Sequence, residues 1–315
     1  MNVRTLPLAL LLATAPFGCG AEDPDDTDAF DVLEDAPDLD AMGKSVNGKS
    51  LNGKSLNGKS LNGTSLSGVT ISGTSVTNVT LAATVFSGTK SGSSISGSAF
   101  VGSQWKGTLS DGSQITVRID SRSALAAPNT DVYGYGVSYL SGTSWLPLCE
   151  TAGTLAIPLN GTWNYGEGVS GGGSWTASST SFTFACRGAA IAKCVELGYK
   201  PWKTVSGTLL QNHHIACTRL LRADYCGDGR SWTIDGTLVN LYDGKGVQTD
   251  TDAWTAEADW TVSGARYIST SADTRFKQFY GAPPSCFTSR ISPTNVGKTA
   301  NFSTGTLLIS ELSGI

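Results

Sequence analysis

Six cysteines, Cys149, Cys186, Cys194, Cys217, Cys226 and Cys286, constrain this chain more than any other feature. Four of them fall in one stretch, FACRGAAIAKCVELGYKPWKTVSGTLLQNHHIACTRLLRADYCGDG from Phe184 to Gly229, together with both histidines. An even set in an exported chain reads as a disulfide framework. A zinc module is the rival, but no Cys-x2-Cys pair occurs and the spacings do not suit one. The run after Ala185 is rich in Ala, Lys, Glu and Leu and predicts a helix ended by Gly198. Thr208 to Tyr225 predicts a second helix, stopped by Gly227-Asp228-Gly229. In an antiparallel pair the partner numbers sum to a near constant, which favours Cys194–Cys217 with Cys186–Cys226 and leaves Cys149–Cys286. At about 1.5 Å per residue the two staples sit at matched heights. Pairing Cys186–Cys217 with Cys194–Cys226 would need parallel helices.

Around this stretch the chain predicts strands. Charged residues are scarce, and Gly, Ser and Thr are abundant, which suits a turn-rich exported β protein. Ile115, Val117 and Ile119 alternate with polar neighbours, and DVYGYGVSYL does the same. SWLPLCE, GTLAIPLNGTWNYG, SWTASSTSFTFAC, SWTIDGTLVNLYDG, WTAEADWTVSGARYIS and NFSTGTLLISELSGI follow, divided by Gly and Asn-Gly steps that suit hairpins.

The N-terminus reads as an export signal, with Arg4, an apolar run from Leu6 to Ala15, then Phe17-Gly18-Cys19. A run of about ten apolar residues is too short to span a bilayer. A small residue before Cys resembles a bacterial lipobox, which implies cleavage before Cys19 and lipidation of Cys19; Pro16-Phe17 departs from the usual residues, and plain cleavage after Gly18 or Ala21 is the alternative. Gly20 to Ala41 carries ten acidic residues and no Lys or Arg, too charged to collapse, so it is expected to be a disordered tether.

From Gly43 a five-residue unit repeats as GKSVN, GKSLN, GKSLN, GKSLN, GTSLS, GVTIS and GTSVT. Its apolar residue recurs at Val46, Leu51, Leu56, Leu61, Leu66, Ile71, Val76, Leu81 and Phe86, then at Ile95, Phe100 and Trp105. Five matches neither helix nor strand period. It resembles a pentapeptide-repeat solenoid, though Lys44, Lys49, Lys54 and Lys59 stand where that repeat has a small residue. A flexible Gly/Ser/Asn spacer is the plainer alternative. From Met42 on there are 21 basic and 16 acidic residues. That balance invites weak binding to anionic surface polysaccharide or lipid headgroups, or is simply a lysine ladder keeping the repeat in solution.

Ala223-Asp224-Tyr225-Cys226, set in TRLLRADYCGDG after FACRGAAIAKCVELGYKPW and HHIACTR, resembles the ADYC-domain family of exported bacterial proteins. YGVSYLSGTSWLPLCE, IPLNGTWNYGEGVSGGG and NLYDGKGVQ are similar to further stretches of that family, over roughly Val132 to Cys286. The resemblance implies architecture and export and no particular chemistry.

The expected fold is therefore α+β and β-dominated: a disulfide-stapled antiparallel helix pair packed on antiparallel sheets, preceded by a short β-solenoid-like repeat. The expected divisions are a signal at residues 1–18, the tether at 19–42, the repeat at 43–107 and the disulfide-rich domain at 108–315. No Gly-x-Ser-x-Gly elbow, His-Glu-x-x-His helix or phosphate loop occurs. The catalytic candidates are His213, His214 and Asp224, with hydrogen-bonded packing of Asp224 and Tyr225 as the structural alternative. Asp243, Asp250 and Asp252 form a weak calcium pattern, and the eight Trp suit a carbohydrate platform less well than a core. No metal, cofactor or nucleic acid is expected. The leading expectation is an exported envelope protein, anchored through Cys19 in the outer membrane and facing periplasm or surface, acting as a binding or structural module. The alternative is a secreted hydrolase using His213 or His214 with Asp224.

Overall fold

The computed structural model describes residues 61–109, 114–149, 154–234 and 237–313. The expected signal, Cys19, the expected tether and the first repeats lie outside them.

Antiparallel strands dominate. The first six are β1 (Leu61–Ser65), β2 (Val69–Ile71), β3 (Thr74–Ala82), β4 (Val85–Lys90), β5 (Ser93–Ser96) and β6 (Ser103–Leu109). There follow β7 (Gln114–Ala124), β8 (Tyr133–Ser141), β9 (Ser144–Pro147), β10 (Ala156–Asn160), β11 (Thr162–Trp163), β12 (Trp175–Thr176) and β13 (Ser181–Cys186). Six of these close a barrel in the order β1-β13-β10-β8-β7-β6, with β6 returning to β1. Closure leaves these strands no open edge. The strip β2-β3-β4-β5 continues from β6, and β9 pairs with β8.

The repeat does not build a solenoid among the described residues; from Leu61 it forms strands of this sheet. Its apolar positions Ile71, Val76, Leu81, Phe86, Phe100 and Trp105 are nevertheless all buried. Residues five apart in a strand face opposite ways, so something must reset the alternation between each pair. Two-residue turns do so at Ser72-Gly73 and Ala83-Thr84, where Ile71 pairs with Thr74 and Leu81 with Phe86. A bulge at Asn78 does so between Val76 and Leu81. Ser72 and Gly73 both have positive φ, as do Ser91 and Gly92, the backbone that matches hairpin twist. The division expected at residues 107–108 thus falls inside β6, a barrel strand.

Phe86, from β4 outside the barrel ring, is the centre of the barrel core. Its ring centroid lies 4.8 Å from Trp105, 4.9 Å from Phe182 and 5.4 Å from Tyr135, on β6, β13 and β8. Tyr135 donates its hydroxyl to the Thr84 carbonyl at 2.8 Å, which pins the β3–β4 turn over the barrel.

The second half is α+β. It comprises α1 (Ala190–Glu196), β14 (Thr204–Val205), β15 (Thr208–Leu209), α2 (Gln211–Arg222), β16 (Val239–Asp243), β17 (Thr255–Thr261) and β18 (Gly264–Ile268). After these come α3 (Arg275–Phe279), α4 (Phe287–Arg290) and β19 (Leu308–Leu312). A four-stranded sheet, β16-β19-β17-β18, packs against α2, and the two share a core with α1 that includes Ile191, Val195, Leu220, Leu221 and Trp260.

The bridges are Cys194–Cys217, Cys149–Cys186 and Cys226–Cys286, with Cα separations of 5.8, 5.6 and 5.5 Å. Cys194–Cys217 joins α1 to α2. The expected Cys186–Cys226 and Cys149–Cys286 pairings are corrected for a simple reason. Cys186 ends β13, and the turn through Gly188 separates it from α1, so it faces Cys149 beyond β9. Cys226 lies past α2, after a left-handed turn at Ala223 that aims it at the start of α4. Neither residue is helical, so the matched-height rule does not reach them. Each bridge contributes about 2–4 kcal/mol by restricting the unfolded chain.

If Phe86 seats the strip on the barrel, Phe86→Ala will destabilise the protein by about 3–5 kcal/mol. Urea unfolding followed by tryptophan emission measures this; a loss under about 1 kcal/mol would assign the barrel core to other side chains.

Candidate functional site

The four residues Ala223–Cys226 form a corner where α2 ends. Ala223 adopts φ 53° and ψ 38°, a left-handed cap, and is fully buried. Glycine is the usual choice for this conformation. Asp224 is also fully buried. Its carboxylate pairs with Arg219 and accepts the Asp228 and Gly229 backbone N–H groups at 3.1 and 3.0 Å. Arg219 donates in turn to the Gly172 carbonyl at 2.6 Å. A Cβ at Gly172 would lie 2.0 Å from the Asp228 carbonyl oxygen, so only glycine lets these loops meet.

Tyr225 donates its hydroxyl to Glu257 at 2.5 Å. Glu257 is held bidentately by Arg275, at 2.8 Å on each oxygen, and Ser310 adds a donor at 2.7 Å. Burial alone would raise the Glu257 carboxyl, but the Arg275 guanidinium and the Arg275, Tyr225 and Ser310 hydrogen bonds outweigh it and hold it below the ordinary value. Arg275 also donates to the Leu220 and Leu221 carbonyls at 2.8 and 3.3 Å, satisfying the C-terminus of α2 with positive charge. Arg290 reaches the Tyr225 carbonyl at 2.5 Å and the Ala265 carbonyl at 2.6 Å. Cys226 completes the corner through Cys286.

The structure does not bring the catalytic candidates together. His214 is fully buried; its Nε2 lies 3.0 Å from the Ile191 carbonyl and its ring meets Trp163 edge-on at 5.7 Å. Burial pushes its pKa down to about 4. His213 is 3% exposed and stacked on Tyr199 at 6.4 Å, and burial lowers it as well. Neither imidazole hydrogen-bonds to Asp224, whose partners are Arg219 and the backbone.

Asp243 is likewise committed. It accepts the Tyr199 hydroxyl at 2.8 Å and the Lys245 and Gln248 N–H groups at 2.6 and 2.8 Å. Asp250 instead accepts from Asn240 at 3.0 Å. Among the described residues no group of three or more His, Cys, Asp or Glu is placed to hold a metal ion, and no helix is long and apolar enough to cross a membrane.

A surface groove of about 400 Å³ lies where the barrel meets the start of α2. Leu66, Leu81 and Ala177 supply apolar lining, and Trp175, Asn160 and Gln211 stand around it. The Trp175 indole donates to the Asn160 carbonyl at 2.8 Å. Sequence reasoning weighed the tryptophans together as a platform; nothing in the order of residues singles out Trp175, because its neighbours arrive from β3, β10 and α2.

A family model described as the ADYC domain matches residues 97–274, from the turn before β6 to the residue before α3. It therefore contains the Ala223–Cys226 corner, both histidines and Glu257, and stops one residue short of Arg275. Comparison with curated proteins and with solved structures found no match.

Two outcomes follow from the buried charges. Arg275→Met will cost about 3–5 kcal/mol in urea unfolding, because it leaves Glu257 charged and unpaired, and adding Glu257→Leu will restore much of that loss. A single variant as stable as the wild type would show that the pair is not a structural centre. The second concerns acid. His214 is neutral in the fold down to pH about 4, whereas an unfolded imidazole takes its proton near 6.5. Its contribution is complete above pH 6.5 and is lost as the pH falls toward 4, by up to about 3 kcal/mol. His214→Gln will flatten the stability profile over that window; an unchanged slope would assign the acid sensitivity to other groups.

Proposed function

The chain belongs to the ADYC-domain family, and from that premise we propose that it is an exported cell-envelope protein that works as a binding or structural module, held to the membrane through a lipid on Cys19. The observation that carries the non-catalytic reading is the commitment of Asp224. Its carboxylate is neutralised by Arg219 and occupied by two backbone N–H groups, while both imidazoles face the core. A general base needs to reach a substrate proton within about 2.6–3.2 Å, directly or through one water. A carboxylate with these partners is placed to hold a corner, which favours the module over a hydrolase using His213 or His214 with Asp224.

The sequence supports the location. Several acyl chains on one cysteine, each buried methylene adding about 0.8 kcal/mol, make an essentially permanent tether. The acidic segment after Cys19 would hold the folded part off the surface that anchors it, and the mildly basic body would be attracted weakly to anionic surface polysaccharide or lipid headgroups. Three disulfides fit an oxidising compartment.

Mass spectrometry of the mature N-terminus is expected to find acylated Cys19; an unmodified terminus at or beyond Cys19 overturns the anchor. The full chain carrying Cys19→Ala, freed from its lipid, is expected to sediment with isolated bacterial envelopes. Recovery of that variant entirely in the supernatant would sink the binding reading.

A further inference from the structure

The groove beside Trp175 is built around a glycine. Asn160 ends β10, Gly161 turns the chain at φ 86°, and Thr162 opens β11. A Cβ on Gly161 would stand 2.3 Å from the Trp175 Nε1 and 2.8 Å from its Cε2. Only glycine at this position lets the indole lie against the backbone. The Nε1–H bond to the Asn160 carbonyl then fixes the ring by its edge. Trp175 nonetheless remains half-buried, so part of it faces the groove. An aromatic platform held in this way has little rotational freedom to lose when a ligand arrives.

The lining sets the chemistry of that ligand. None of the described residues around the groove is charged. Recognition of a phosphate, sulfate or carboxylate would call for Arg or Lys. Five of the nine lining residues, Thr80, Asn160, Ser178, Ser179 and Gln211, carry a hydroxyl or an amide. The exposed lining is nonetheless more apolar than polar, as ligand sites usually are, so these uncharged groups frame an apolar floor. The Gln211 amide and the Thr80 and Ser179 hydroxyls have no hydrogen-bond partner among the described residues. Amides and hydroxyls both donate and accept, which matches a ligand whose own hydroxyls do the same. The volume, about 400 Å³, lies within the range of small-molecule sites, roughly 300–1,000 Å³.

We propose that this groove binds a neutral carbohydrate, with a sugar ring stacked on Trp175 and its hydroxyls bonded to the Gln211 amide and the Thr80 and Ser179 hydroxyls. A pyranose ring offers an apolar face of C–H groups bounded by hydroxyls, the complement of an indole ringed by neutral polar groups. The basic body draws the protein to its surface over a distance, and the groove contributes the short-range selection. This inference rests on the binding reading above and names the ligand class.

The test is titration of the full Cys19→Ala chain with a cello-oligosaccharide, an N-acetylglucosamine oligomer and an oligogalacturonate, followed by tryptophan emission and calorimetry. Saturable binding of at least one neutral oligomer, tighter than the uronate, is expected. Trp175→Ala will weaken that binding by at least about tenfold. Gln211→Ala, at a half-buried helix start, will weaken it measurably while leaving the melting temperature unchanged, so a folding defect in the tryptophan variant does not decide the matter. Uptake of neither neutral oligomer, preference for the uronate, or binding indifferent to both variants overturns the proposal. A chain that sediments with envelopes yet takes up neither neutral oligomer refutes the groove alone; one that does neither refutes the binding reading with it.

Discussion

The buried ion pair between Glu257 and Arg275 is the interaction on which the second half of the molecule depends. Both side chains are fully enclosed, where an unpaired charge would cost several kcal/mol. The pair is tolerated because every oxygen and most of the guanidinium is hydrogen-bonded, by residues from four different elements. Glu257 comes from β17, Arg275 opens α3, Ser310 lies on β19, and the Leu220 and Leu221 carbonyls end α2. Tyr225 closes the set from above. The Ala-Asp-Tyr-Cys sequence follows from this arrangement. Ala223 turns the chain left-handed so that Asp224 can take Arg219, Tyr225 can reach Glu257 and Cys226 can reach Cys286. A short sequence signature here records a meeting of elements.

The barrel is organised on different terms, with an aromatic cluster in place of charge. Rings on β4, β6, β8 and β13 meet tilted or edge to face, a geometry that adds to the burial of area. The two halves join through β13. Its barrel face carries Phe182 and Phe184, while Cys186 at its end binds Cys149 and hands the chain to α1.

Local signals in the sequence carried much of this. Alternation marked β7 and β8, and the matched heights of Cys194 and Cys217 hold because both residues are helical. The same rule misled at Cys186, since Ala-rich composition extends back across a strand end and a glycine turn. The five-residue period resembled a coil because turns and a bulge can restore the same face that a corner would; the spacing alone does not separate the two. The Glu257–Arg275 pair was not legible at all. Glu257 sits in WTAEADW, an alternating run that reads as half exposed, and its partners lie 18 to 53 residues away. Asp259 in the same strand is buried too, accepting from Gly297, Asn301 and Thr306. Acidic residues inside a sheet are recognised only when their distant donors are in place.

One position in the repeat bears on which copy can serve as β1. Thr64 is fully buried in β1, between β6 and β13. In the preceding copies the equivalent residues are Lys44, Lys49, Lys54 and Lys59. Those copies otherwise share almost the same letters, so a barrel closed by LNGKS instead of LNGTS would differ by one side chain per stave. Burying a lysine without a partner is costly enough to forbid that exchange. The single Lys-to-Thr change thus acts as a register lock, telling a nearly periodic chain which of its interchangeable copies becomes the barrel wall.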